Sequence, residues 1–219
     1  MTTTLSAVKT FKPGVPTPQF GELMRVFPRS HFERLLSEEF PFYRTTFWYP
    51  LDRKPENIFE SIASRLKASA NPSPEVTGVE WWFSVLTTNV TPQWILSCHF
   101  DRNDMALDED DPRVQHPDKA SVLFLNAVPY GELVVTDQVL KNGSRRPRQP
   151  TDMRFIRPGR NLYAVFPGEL YHGVIGRMWR PMKSTQLRVA MAVNYWKERP
   201  AAEYLRDSRE CMTAFKLAD

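Results

Sequence analysis

The sequence predicts a mainly β fold of the sandwich or jelly-roll class with helices at its flanks. Three observations carry this. Between Val79 and Trp196 the apolar runs are short, rich in β-branched and aromatic residues, and show no helical period. Nineteen prolines against nine glycines supply rigid connections, and many short strands joined by proline-rich turns are the pattern of a sandwich or barrel. Apolar stripes at helical spacing occur only before and after this region.

A chain of 219 residues can bury a substantial core. It divides into an N-terminal arm with helices (1–78), a barrel (79–198) and a C-terminal helix (199–219), expected to pack as one unit. Residues 1–18 contain Pro13, Pro16 and Pro18 and little apolar periodicity, which predicts an irregular arm. Ser30-His31-Phe32-Glu33 has the spacing of a capping box and predicts a short helix through Leu35 and Leu36, with His31 as a surface or cap residue. Pro55 suits the first turn of a second helix, whose Ile58, Phe59, Ile62 and Leu66 form an apolar stripe against the outside of a sheet. Asn71-Pro72-Ser73-Pro74 ends it.

Val79 to Val90 reads as a strand, Thr91-Pro92-Gln93 interrupts it, and a second strand begins at Trp94. Further strands end at Asn126, start at Tyr130, run from Asn161 to Pro167 and close the series from Leu187 to Trp196. Two loops break the succession. Residues 102–118 are acidic, with Asp104, Asp108, Glu109, Asp110 and Asp111. They are either a solvated face or a substrate-recognising rim. Asn142 to Pro150 opens on an Asn-Gly turn and continues into Arg145, Arg146 and Arg148, with Arg154, Arg157 and Arg160 beyond. These six arginines in sixteen residues could be solvated or could contact a phosphate, a carboxylate or an acidic partner. Pro200 suits a helix start, with Tyr204, Leu205, Ser208, Cys211, Met212 and Phe215 on one side of a C-terminal helix docked on the barrel.

The composition is 42% apolar and 25% charged, ordinary for a globular protein, and the net charge of +4 is too modest to point to nucleic acid. Cys98 and Cys211 are far apart and offer no disulfide framework. No basic region followed by an apolar core opens the chain, and no run approaches the roughly 20 apolar residues of a membrane span. A cytoplasmic monomer or homodimer with no membrane partner is expected. A glycine-rich phosphate loop and a CxxC metal pair are both missing from the sequence.

The chemistry-bearing stretch is Trp94-Ile95-Leu96-Ser97-Cys98-His99-Phe100-Asp101. Residues i and i+2 of a strand share a face, so His99 and Asp101 point the same way and Cys98 the other. An imidazole beside a carboxylate, completed by a second histidine, makes a set that holds Fe(II) on one triangular face and leaves three positions open. His172, in Phe166-Pro167-Gly168-Glu169-Leu170-Tyr171-His172-Gly173-Val174, is the candidate third member. The alternative is a strand histidine that is simply hydrogen-bonded. His116 breaks the His-x-Asp geometry and is not expected to bind metal.

From about Trp81 to Trp196 the chain resembles the core of the Fe(II)- and 2-oxoglutarate-dependent oxygenases, most closely the prolyl-hydroxylase-like branch. The resemblance rests on order and spacing. His99-x-Asp101 is followed by Leu123-Phe124-Leu125-Asn126, by Tyr130-Gly131-Glu132-Leu133-Val134-Val135, by Asn161 to Pro167 leading into His172, and by a closing strand with Arg188. It implies a double-stranded β-helix, a cupin-like jelly-roll barrel, with His99, Asp101 and His172 on Fe(II). It also implies 2-oxoglutarate and O2 as co-substrates, ascorbate as a reductant, and oxidation of an unactivated C–H bond of a small molecule, amino acid or peptide with release of succinate and CO2.

Arg188 matches the family's basic residue for the distal carboxylate of 2-oxoglutarate. Its strand alternates Arg188, Ala190, Ala192 and Asn194 on one face, which leaves room for a ligand. The chain departs from the family at Phe124, where related prolyl hydroxylases often carry a tyrosine; Tyr163, Ser121 or Thr136 could supply the missing donor. Arg145, Arg146, Arg148, Asp104 and Asn194 are candidates for binding the prime substrate. Retention of Asp101 disfavours halogenation. Two other classes stay open: a cupin-like iron enzyme that uses no 2-oxo acid, and a non-catalytic metal-binding or sensor barrel.

Overall fold

The computed structural model describes residues 5–27, 45–87, 96–103, 115–175, 187–202 and 204–214. Thirteen strands are described: β1 (Lys9–Phe11), β2 (Thr46–Pro50), β3 (Gly78–Thr87), β4 (Leu96–His99), β5 (Lys119–Phe124), β6 (Glu132–Thr136), β7 (Val139–Lys141), β8 (Ser144–Arg146), β9 (Met153–Ile156), β10 (Leu162–Pro167), β11 (His172–Ile175), β12 (Leu187–Trp196) and β13 (Leu205–Asp207). The helices are α1 (Thr17–Val26), α2 (Ile58–Ala70) and the short α3 (Cys211–Ala214).

A seven-stranded sheet in the order β1-β10-β5-β12-β3-β2-β13 faces a four-stranded sheet in the order β4-β11-β6-β9, and β7 and β8 form a separate hairpin. The ten-residue strand β12 is the spine of the large sheet, paired along its whole length with β3 and on its other side with β5. Strand alternation splits the interior into two cores. Leu123, Tyr163, Met191 and Val193 face the helices, where Phe59, Ile62 and Leu66 of α2 are fully buried. Ala120, Phe124, Ala164, Phe166 and Ala190 face the small sheet and meet Leu133 and Val135. Trp81 joins the sheet to the helix layer, with ring centroids 4.7 Å from Phe47 and 5.0 Å from Phe59.

Helix α2 carries the expected stripe, but Asn57 starts it, its side chain accepting the Glu60 N–H at 2.9 Å. Asn71 ends it in the left-handed region at φ 47°. Three expectations are corrected. From Leu5 to Pro18 the N-terminal arm is regular: Leu5–Ala7 forms a 3-10 turn, β1 pairs with β10, and α1 starts behind Pro16, because a proline in the first turn seeds a helix instead of breaking it. The loop expected from Asn142 to Pro150 contains the second strand of a hairpin turned at Asn142-Gly143, and the arginine run continues into β9. The C-terminal segment is not one helix. Leu205–Asp207 adds to β2 as a parallel edge strand, and Ser208–Glu210 and α3 follow as short turns. Buried Ser208 accepts the Trp81 Nε1–H at 2.9 Å, which fixes that segment against the sheet. The expected helix through Leu35 and Leu36, with His31, lies outside the described residues. Among the described residues no helix is long and apolar enough to cross a membrane.

Candidate metal and co-substrate site

The strand carrying the proposed ligands ends at His99, and His172 opens β11 directly opposite it in the antiparallel register. Asp101 lies two residues beyond the end of β4 and swings its carboxylate between the two rings. Its Oδ1 is 3.5 Å from His99 Nε2 and its Oδ2 is 3.4 Å from His172 Nε2. One ligand atom from each residue falls within 4.8 Å of the others. The Nδ1 of His172 faces the Leu170 carbonyl at 2.9 Å, so its N–H donates there and Nε2 is the ring nitrogen turned toward Asp101. Burial pushes the Asp101 pKa up, but the charge and hydrogen bond of His172, followed by those of His99, outweigh it and hold the carboxyl well below its usual range. Two imidazoles and an ionised carboxylate converging in this way are a donor set that fits a divalent iron.

These residues sit in the wall of a pocket between the two sheets. Its sides are mostly apolar and small, with Ala120, Val122, Ala190 and Ala192 opposite the small sheet. Arg188 reaches in from β12, 1% exposed. Its Nε donates to the Gly131 carbonyl at 2.8 Å and its guanidinium carbon lies 5.1 Å from the Phe124 ring centroid. Burial lowers its pKa to about 10, which leaves it charged at neutral pH. Among the described residues no carboxylate pairs with it. Gly131 is required here: its φ is +79°, and a Cβ would lie 2.7 Å from Arg188 Cδ.

Of the three replacement donors expected for Phe124, Ser121 alone lines this cavity. Tyr163 belongs to the helix-side core, because the inward residues of β10 are its neighbours Ala164 and Phe166. Ser121 borders the cavity, but its hydroxyl donates to the Val193 carbonyl. Thr136 is one residue past the inward Val135 and donates to the Tyr171 carbonyl at 3.0 Å. A shift of one residue along a strand reverses the face. Phe124 itself offers its ring face to Arg188 in place of a hydroxyl.

Asn194 lines the cavity as its strand position requires, but its amide donates to Asp101 Oδ2 at 2.9 Å. Cys98 does not line the cavity, and its sulfur lies against Gly173. The six arginines disperse. Arg145 lies over the Tyr171 ring at 4.7 Å, Arg154 reaches the Val8 carbonyl, Arg157 approaches Glu132 at 3.7 Å, and Arg160 covers Phe20. Arg146 and Arg148 are exposed on the hairpin and its exit. Asp104 lies outside the described residues. Trp82 and Ser84 of β3 also line the cavity, and the sequence reading missed them although they share the alternation of their strand.

No family model matches this sequence, and no curated protein sequence matches it. Solved structures do. The non-heme α-ketoglutarate-dependent carbocyclase SnoK from nogalamycin biosynthesis aligns with 90% of this chain and 83% of its own at 12% identity and a TM-score of 0.50. The non-heme α-ketoglutarate-dependent epimerase SnoN from the same biosynthesis aligns with 87% and 78%, at 10% identity and a TM-score of 0.50. A Pseudomonas putida prolyl-4-hydroxylase covers 91% of this chain and 90% of its own at 15% identity and a TM-score of 0.49. At these identities the likeness is one of fold: two facing sheets in this strand order make the double-stranded β-helix, the jelly roll on which such 2-oxoglutarate-dependent oxygenases are built.

Proposed function

We propose that this protein is a non-haem Fe(II)- and 2-oxoglutarate-dependent oxygenase that hydroxylates, or otherwise oxidises, an unactivated C–H bond of a small molecule, amino acid or peptide. The observation that carries the proposal is the pairing, in one small-walled cavity, of a two-histidine, one-carboxylate set with a buried arginine that no described carboxylate neutralises.

His99, Asp101 and His172 would hold the iron. Bound iron supplies the redox chemistry with dioxygen and a 2-oxo acid, which leaves as succinate and CO2. Everything else falls to the chain. Arg188 presents a planar fork that can hold a carboxylate through two parallel charge-assisted hydrogen bonds, while Gly131 and Phe124 fix its direction from two sides. The hydrogen bond from His172 to Leu170 fixes the tautomer that leaves Nε2 free for metal. The alanines and valine of the large sheet keep this face of the pocket apolar and low, which leaves the approach to Arg188 and the two histidines unobstructed by long side chains.

The test is to load the protein anaerobically with Fe(II) and 2-oxoglutarate, admit oxygen in the presence of a metabolite and peptide panel, and measure succinate against oxidised product. Succinate formed with a matching product supports the reading. Iron binding and oxygen consumption without succinate would assign the chain to the iron enzymes that need no 2-oxo acid, and neither iron binding nor oxygen consumption would make it a non-catalytic barrel.

A further inference from the structure

Asp101 is the ligand that the sheet does not position. His99 closes β4 and His172 opens β11, so both histidines are held by ladder hydrogen bonds, whereas Asp101 sits in irregular backbone past the strand end. A carboxylate in that place has two side-chain torsions and a main chain outside the ladder, and nothing in the strand pairing selects one orientation. Two side chains from elsewhere act on it. Asn194, on β12 of the opposite sheet, donates its Nδ2–H to Asp101 Oδ2 at 2.9 Å. His116 lies 15 residues on in sequence, and its Nδ1 meets the Asp101 backbone carbonyl at 2.7 Å, so the ring N–H is the donor.

His116 is itself held. Its ring packs 5.9 Å from Phe100, Phe100 packs 4.9 Å from Tyr171, and Arg145 covers Tyr171. Phe100 and Tyr171 each adjoin a proposed iron ligand, so this stack braces the two ligand-bearing segments from outside the cavity. At the base of the same loop, the Asn103 N–H donates to the Gln115 carbonyl at 3.0 Å, and Asn103 Oδ1 accepts the Ala201 N–H at 3.1 Å.

We propose that Asn194 and His116 are positioning residues that clamp Asp101 from both sides, one fixing the carboxylate and the other its main chain, so that three donors converge before any metal arrives. Asn194 is thereby assigned to the metal ligand and not to the prime substrate. The inference rests on the metal-centre reading above. Its physical basis is that a ligand with a pre-set orientation loses less freedom on binding, and partners of metal ligands typically set affinity by about 10- to 100-fold.

Co(II) alone, titrated into the metal-free full chain by calorimetry and followed by its visible ligand-field absorption, tests the clamp without any turnover. Asn194→Ala and His116→Ala should each raise the Co(II) dissociation constant roughly 10- to 100-fold and change the shape of the absorption, while the melting temperature of the metal-free protein reports folding separately. Asn194→Asp keeps the side chain's shape but sets an acceptor against Asp101, and should bind Co(II) no more tightly than Asn194→Ala. His116→Asn can place an N–H near the position of Nδ1 and should restore most of the affinity. Asp101→Ala separates the two claims. If it abolishes Co(II) binding while Asn194→Ala and His116→Ala bind as wild type, the clamp is overturned and the metal centre stands. If Asp101→Ala itself binds as wild type, the metal centre falls and the clamp falls with it.

Discussion

Arg188 is a buried guanidinium directed by one backbone carbonyl and one aromatic face, with its remaining donors available to a ligand. Removing one side of a buried charged pair typically costs about 2–5 kcal/mol, much of it from the partner left unpaired. Arg188→Ala should therefore weaken 2-oxoglutarate binding by at least one to two orders of magnitude, at roughly tenfold per 1.4 kcal/mol. Lysine, a compact point charge without the fork, should recover only part of this. Fe(II) affinity measured without 2-oxoglutarate should stay at the wild-type value in both variants. An unchanged 2-oxoglutarate dissociation constant in Arg188→Ala would move the carboxylate-binding role to another basic residue.

At the scale of elements, the hairpin β7–β8 stands beside the strands that carry the proposed ligands through the contact of Arg145 with Tyr171, which immediately precedes His172. Gln138 pins its exit by donating to the Pro147 and Arg148 carbonyls. The exposed Arg146 and Arg148 then present positive charge to solvent near the site, which raises the local concentration of an anionic substrate and is screened by salt. The double variant Arg146→Gln, Arg148→Gln should raise the apparent KM for such a substrate at low ionic strength and converge with wild type at high ionic strength, with uncoupled 2-oxoglutarate decay unchanged. A KM that matches wild type at low salt would make the hairpin a solvated surface.

What was legible in the sequence follows from the range of the interactions. Local alternation assigned Arg188, Ala190, Ala192 and Asn194 to the cavity side, whereas the expected strand stops at His99 and Asp101 meets both histidines from irregular backbone beyond it. Choosing between Tyr163 and its neighbours needed the register of β10 on β5, which no local pattern prints. The role of Asn194 depends on a contact 93 residues distant in sequence, and the turn at Ser208 on one 127 residues away. The C-terminal segment was misread because Leu205, Ser208, Cys211 and Met212 suit a helix by spacing, and the parallel pairing of Leu205–Asp207 with β2 overrides it.

At the scale of the whole molecule, one buried carboxyl links stability to pH: Glu80, on the cavity-side face of β3. Burial, reinforced by the charge of Asp101, raises its pKa to about 7 against the hydrogen bond from the Trp196 Nε1–H, which lowers it. A carboxyl whose pKa is raised on folding binds a proton more tightly in the native state, so its contribution is fully present below the ordinary value of 4.5 and is lost as pH rises toward and through about 7. The metal-free protein should lose stability over that window, by on the order of 3 kcal/mol. Glu80→Gln retains an acceptor for the Trp196 N–H and should flatten the melting temperature against pH. A wild-type profile already flat between pH 4.5 and 8 would show that the native carboxyl is not perturbed in this way.

On the proposed reading, one cavity joins an iron site to a carboxylate-binding arginine. Anaerobic titration of the Fe(II)-loaded protein with 2-oxoglutarate, followed by the metal-to-ligand charge-transfer absorption, reads both at once, because the band requires the 2-oxo acid to chelate the iron. The account predicts a saturable band with one 2-oxoglutarate per iron, absent in His172→Ala and shifted to much higher 2-oxoglutarate concentration in Arg188→Ala. A wild-type protein that binds Fe(II) and shows no band at saturating 2-oxoglutarate, or a His172→Ala variant whose band equals wild type, would contradict it.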